Sequence, residues 1–201
     1  MKQTIFLFVV LLAATACRRN VEDPAPVVDN EVITTVRLTL TNTANAADVR
    51  TATWRQLDVR GINPPDTSQA LFTLPANSSY NVTVQILDES KTPAEDKSPE
   101  IDAESKEHLF AHQPSPVQTS AGVIVPGTPV NATGWLRLTV SNQNLDNGTP
   151  QRTYGRTARY TTTTASTGRL RIVLRHQPTG KDGTYAPGST DADASFRVTI
   201  Q

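Results

Sequence analysis

The chain has 201 residues, with 19 Lys and Arg set against 19 Asp and Glu, so its formal charge is zero. Such balance supplies no clustered basic face, and a nucleic-acid partner is not expected. A single cysteine excludes an intrachain disulfide framework and any metal site built from several thiolates.

The first residues read as three zones. Lys2 gives the start a positive charge, residues 5–12 (IFLFVVLL) are an unbroken apolar run, and small residues follow up to Cys17. That order is the signature of a signal peptide over residues 1–16, and the run is shorter than the roughly 20 residues a spanning helix needs. Ala14-Thr15-Ala16-Cys17 resembles the lipobox of bacterial lipoproteins, with Ala14 where leucine is usual. The resemblance implies a diacylglycerol thioether on Cys17, hence a membrane partner through lipid and an address at the cell envelope, on the outer membrane. Residues 17–30 then form the lipidated cysteine and a polar, proline-containing tether.

From residue 31 to 201 the pattern has period two. Val36-Arg37-Leu38-Thr39-Leu40-Thr41 alternates apolar and polar residues, as a half-buried strand does. So do Tyr80-Asn81-Val82-Thr83-Val84-Gln85-Ile86, Leu136-Arg137-Leu138-Thr139-Val140, Leu170-Arg171-Ile172-Val173-Leu174 and Phe196-Arg197-Val198-Thr199-Ile200. Turn residues punctuate the gaps, among them Asn63-Pro64-Pro65-Asp66 and Asn147-Gly148. An all-β sandwich of about 8–9 antiparallel strands is expected.

Residues 88–107 interrupt this pattern with dense charge. Thr92-Pro93-Ala94-Glu95 and Ser98-Pro99-Glu100 each look like a helix start, so one or two short helices are expected between 92 and 107. Val36–Asn42 (VRLTLTN) aligns with Leu136–Asn142 (LRLTVSN), and Val82-Val84-Ile86 answers Leu170-Ile172-Leu174, which suggests a duplicated four-strand unit with halves 31–113 and 130–201. One body is favoured over two, since each half has few aromatics with which to fill a separate core. The phrase from Leu74 to Val82, centred on Tyr80, resembles the tyrosine corner of fibronectin type III modules and implies an immunoglobulin-like fold.

Several further phrases are similar to a group of uncharacterised lipoproteins of Bacteroidota. They include Glu31-Val32-Ile33-Thr34-Thr35, the run from Leu87 to Asp96, Glu107-His108-Leu109-Phe110, Leu174-Arg175-His176-Gln177-Pro178 and Val198-Thr199-Ile200-Gln201. Members often carry the label of a type 1 periplasmic-binding fold, which is α/β, whereas the periodicity here reads as all-β. Members also tend to have an Asp- and Gly-rich loop after the second strand, which Gln56-Leu57-Asp58-Val59-Arg60-Gly61 matches poorly.

Three histidines are the whole stock. His108 and His112 lie four apart and share a face on a helix or a strand. With Glu104, Glu107 and His176 from the second half they make a candidate divalent-metal set, since imidazole and carboxylate suit zinc-like ions. The alternative is that these histidines are surface or hydrogen-bonded structural residues. Trp135 and Tyr154, each beside a glycine near a strand entrance, are candidates for an exposed ligand platform, while Trp54, Tyr80 and Tyr160 are assigned to packing. No catalytic residue is assigned, because no Gly-flanked serine elbow or phosphate-binding loop appears. The expected function is a non-enzymatic binding or accessory lipoprotein without a required cofactor, serving an envelope protein or a small ligand. A metal-binding lipoprotein is the alternative, and a hydrolase ranks last.

Overall fold

The computed structural model describes residues 32–58, 61–115 and 136–201, and Glu31–Gln201 forms one compact unit. Residues 1–31, Cys17 among them, and Trp135 lie outside the described residues.

The described residues of this body form ten strands and one helix. In chain order they are β1 (Thr35–Asn42), β2 (Val49–Arg55), β3 (Leu71–Leu74), β4 (Ser79–Asp88), β5 (Glu95–Asp96), α1 (Ser98–Ala103), β6 (His108–Ser115), β7 (Leu138–Ser141), β8 (Thr157–Thr162), β9 (Ser166–His176) and β10 (Ser189–Ile200). The first sheet runs β2-β1-β4-β8-β7, with β5 paired to the far end of β4, and the second runs β3-β10-β9-β6. Both inner faces meet in one core. Val36, Leu38, Leu40, Val82, Val84 and Ile86 supply one side, and Phe72, Leu170, Ile172, Leu174, Phe196 and Val198 the other. Alternation along each strand explains the partition, because successive side chains point to opposite faces. Full burial of each of these side chains contributes roughly 1.5–3 kcal/mol. The sandwich is therefore all-β, as the period-two pattern implies.

Three details differ from expectation. The β3–β10 pair is parallel, with Leu71 opposite Arg197 and Leu74 opposite Ile200, so the second sheet is mixed. The strand order does not reproduce a duplicated unit. β4 lies beside β1 in the first sheet, whereas its counterpart β9 belongs to the second. Tyr80 is fully buried, but its hydroxyl donates to Asp48 Oδ2 in the β1–β2 turn at 2.6 Å and not to its own entering loop.

Of the two helix starts in the charged segment, only Ser98-Pro99-Glu100 is used. The segment after Thr92 instead becomes β5, whose Asp96 and Glu95 pair with Leu87 and Asp88 at the end of β4. Asp88 turns the chain there by accepting from the backbone N–H and hydroxyl of Ser90. Helix α1 follows with Pro99 in its first turn, where a missing N–H costs nothing. Ser98 ties it to β4 by accepting from the Ile86 N–H at 2.9 Å, and Ile101 enters the core fully buried. The short helix thus leads straight into the turn that opens β6.

A candidate metal-binding end of the sandwich

The second sheet brings its three chemically distinctive side chains to one end. His108 opens β6 and lies directly opposite His176, the last residue of β9. His176 in turn faces Ser189 at the start of β10. Because His108, Phe110 and His112 have the same parity, all three point inward. His176 likewise continues the inward row of Leu170, Ile172 and Leu174.

Asp191 joins them through a bulge. Thr190 pairs with Arg175 and Ala192 with Leu174, so Asp191 is an extra residue with no cross-strand partner. A bulge of this kind re-aims the side chain it carries. Strict alternation would give Asp191 the opposite face from Ala192, Ala194 and Phe196. Instead its carboxylate is 3 % exposed and lies 3.9 Å from Nε2 of His108, which is 2 % exposed. Ligand atoms of His108, His176 and Asp191 all fall within 4.8 Å of one another. The two imidazoles stack, with centroids 4.8 Å apart and planes 10° from parallel. Glu107, at the rim, places Oε2 3.8 Å from His176 Nε2.

The His108 ring is already oriented. Its Nδ1 sits 3.1 Å from the Glu104 carbonyl, and a carbonyl only accepts, so Nδ1 carries the proton and Nε2 is left with a lone pair facing Asp191. Burial pushes the His108 pKa down, outweighing the Glu104 hydrogen bond. Burial pushes Asp191 up, against the pull of His176 and Arg175. Asp191 Oδ1 has no hydrogen-bond partner, and neither does Gln177 Oε1 in the adjoining loop. Orphaned buried acceptors are rare because each forfeits its solvation without return.

The loop of residues 177–188 joins β9 to β10 at this end and is held by hydrogen bonds. Gln177 Nε2 donates to the carbonyls of Thr184 and Pro187, both at 2.9 Å. Arg175 donates to the carbonyl of Pro187 at 3.0 Å and lies over the Tyr185 ring. Lys181 reaches across to the β7–β8 connection. Its Nζ donates to the Ser105 carbonyl and to Asp146 Oδ2, each at 2.8 Å, in an ion pair with both side chains at most 5 % exposed. Burial lowers the Lys181 pKa against the opposing pull of Asp146. Desolvation alone would raise Asp146, but Lys181 and the N–H groups of Arg152 and Gly148 together hold it down. Gly188 ends the loop at φ +81°, where a Cβ would collide with the His176 carbonyl.

The metal set expected from sequence is therefore revised. His112 is not a ligand. Its Nε2–H donates to the Gly155 carbonyl and its Nδ1 accepts from the Tyr160 hydroxyl, both at 2.6 Å, so both ring nitrogens are used inside the core. Four residues along a strand also separate it from His108 by about 13 Å, against about 6 Å on a helix. Glu104 takes part only through its backbone carbonyl, its side chain being exposed. His108 and His176 remain, Glu107 stays at the rim, and Asp191, which sequence reasoning missed, completes the group.

Tyr154 is likewise not a platform. It is 3 % exposed, its ring packs edge-on against Phe110, and its hydroxyl donates to Asp102 Oδ1 at 2.8 Å. Tyr160 is fully buried, and Trp54 packs partly buried against the core, in keeping with a packing role. A separate shallow cleft of about 340 Å³ lies on the outer face of the first sheet among Thr39, Thr83, Gln85, Asp96, Ser98 and Arg156. No family model, curated protein or solved structure matches this chain, so the reading of the site rests on its own geometry.

Proposed function

We propose that this protein is a non-catalytic binding module of the bacterial cell envelope, lipid-anchored at Cys17, whose binding end is the His108–His176–Asp191 end of the sandwich. Residues 1–16 are the export signal and residues 17–30 the tether, as the lipobox-like run before Cys17 supports. The observation that carries the choice of binding end is Asp191. A bulge turns this carboxylate inward and leaves one of its oxygens without a partner, an arrangement that folding alone gives no reason to keep. A bound ligand at that end would satisfy it.

Two measurements test the two halves of this reading. In a bacterium fed labelled palmitate, the chain takes up label and sediments with membranes, while Cys17→Ser does neither. An unlabelled wild-type chain in the soluble fraction would overturn the anchor. A thermal-shift panel of divalent metals, haem and glycans on the full chain tests the binding end, because a ligand of the folded state raises the melting point. The rise is expected to vanish in Asp191→Asn. A ligand whose shift survives that substitution binds elsewhere, and the end loses its assignment.

A further inference from the structure

The binding end has the composition of a particular class of site. Among the described residues, two imidazoles and one carboxylate converge there. Calcium and magnesium take six or more oxygen ligands, whereas mixed nitrogen and oxygen ligands suit late first-row divalent ions. His108 also shows the support that metal-bound histidines have, with its distal N–H given to a backbone carbonyl so that ring and tautomer are fixed.

Resting on that reading of the end, we infer that His108 Nε2, His176 and Asp191 bind a divalent late first-row metal ion, with Glu107 at the rim as its carboxylate on the open side. Bonds of 2.0–2.1 Å set tetrahedral ligand atoms about 3.3 Å apart. The 3.9 Å between His108 Nε2 and Asp191 therefore closes by well under an ångström. His176 is the part that moves. Its ring lies parallel to that of His108, so the lone pairs do not yet converge, and the ring turns out of the stack to share the ion. It has room to do so, since its side chain is 19 % exposed where His108 is 2 %. The Asp191 carboxylate, whose Oδ2 faces His108 and whose Oδ1 is orphaned in the buried end, gains a cation in the same step. His112 takes no part, because its core hydrogen bonds stay as they are.

The test is a zinc titration of the full chain carrying Cys17→Ser, which removes the thiol as a competing ligand, after chelator treatment. One equivalent of zinc is expected to bind, with calcium failing to displace it. Cobalt in its place should give visible absorption from a nitrogen- and oxygen-ligated ion. Asp191→Asn and His176→Gln, both close in shape to the originals, should each weaken zinc by about tenfold or more while the circular dichroism of the fold is unchanged. The ring resonances of His108 and His176 should shift on zinc addition and those of His112 should not. A folded chain that ignores zinc up to about 100 μM, well above any useful affinity, overturns the inference. So does one equivalent bound with equal strength by wild type and both variants. A zinc-insensitive chain that loses another ligand's thermal shift in Asp191→Asn would remove the metal and leave the binding end standing.

Discussion

Mild acid should destabilise this protein through His112 well before its carboxylates protonate. Burial holds the His112 pKa down at about 4, against the opposing pull of its hydrogen bond to Gly155, while an exposed imidazole titrates near 6.5. The unfolded chain therefore takes up a proton that the folded chain refuses. Stability from this group is complete above about pH 6.5 and declines as pH falls toward about 4, below which the loss levels off at about 3 kcal/mol. Between about pH 7.5 and pH 5 the loss is about 2 kcal/mol. His108, also pushed down by burial, adds a loss of the same sign. The His112 share is isolated by comparing denaturant unfolding of wild type and His112→Gln across that range. The variant starts less stable, since Tyr160 and Gly155 lose a matched partner, but its stability should fall less steeply with acid. Parallel curves would refute the reasoning. So would an NMR titration of the His112 ring in the folded protein with a midpoint near 6.5.

Other substitutions probe the supports around the site. Lys181→Met leaves the buried Asp146 carboxylate without its cation and should cost about 3–5 kcal/mol in denaturant unfolding, with Asp146→Asn in the same chain recovering most of it. Tyr160→Phe removes the donor to His112 Nδ1 and should cost about 1–3 kcal/mol, with little further loss when His112→Gln is added. Gly188→Ala forces a side chain into a left-handed conformation against the His176 carbonyl. It should cost about 2 kcal/mol or more in melting experiments and weaken zinc through displacement of His176.

Much of the sandwich was legible because alternation is a local property. Val36, Leu38 and Leu40 announce β1, and Leu170, Ile172 and Leu174 announce β9, without reference to any partner. The parallel docking of β3 was not legible, since Leu71-Phe72-Thr73-Leu74 is too short to show its direction and its neighbour is the last strand of the chain. The four-residue spacing gives His108 and His112 a shared face, as they have in β6, but the choice between helix and strand decides whether a shared face means a shared ion. Asp191 was invisible for a different reason. A bulge is a mismatch in residue count between two paired strands, so it exists only once the register of β9 against β10 is known. The alternation of Asp191-Ala192-Asp193-Ala194, read alone, sends both aspartates outward together.

The position of β10 bears on how the sandwich can close. β3, near the start of the second sheet in sequence, has β10 as its neighbour there, and β9 also leans on β10 along its length. In a chain made from its N-terminus, β3 is present long before β10. Until then the second sheet has a gap at its middle, and the inner face of the first sheet has nothing complete to close against. Pairings across such a separation in sequence form slowly. The two halves of the sandwich therefore stay unlocked until β10 slides in between β3 and β9, so the step that completes the second sheet also seals the core.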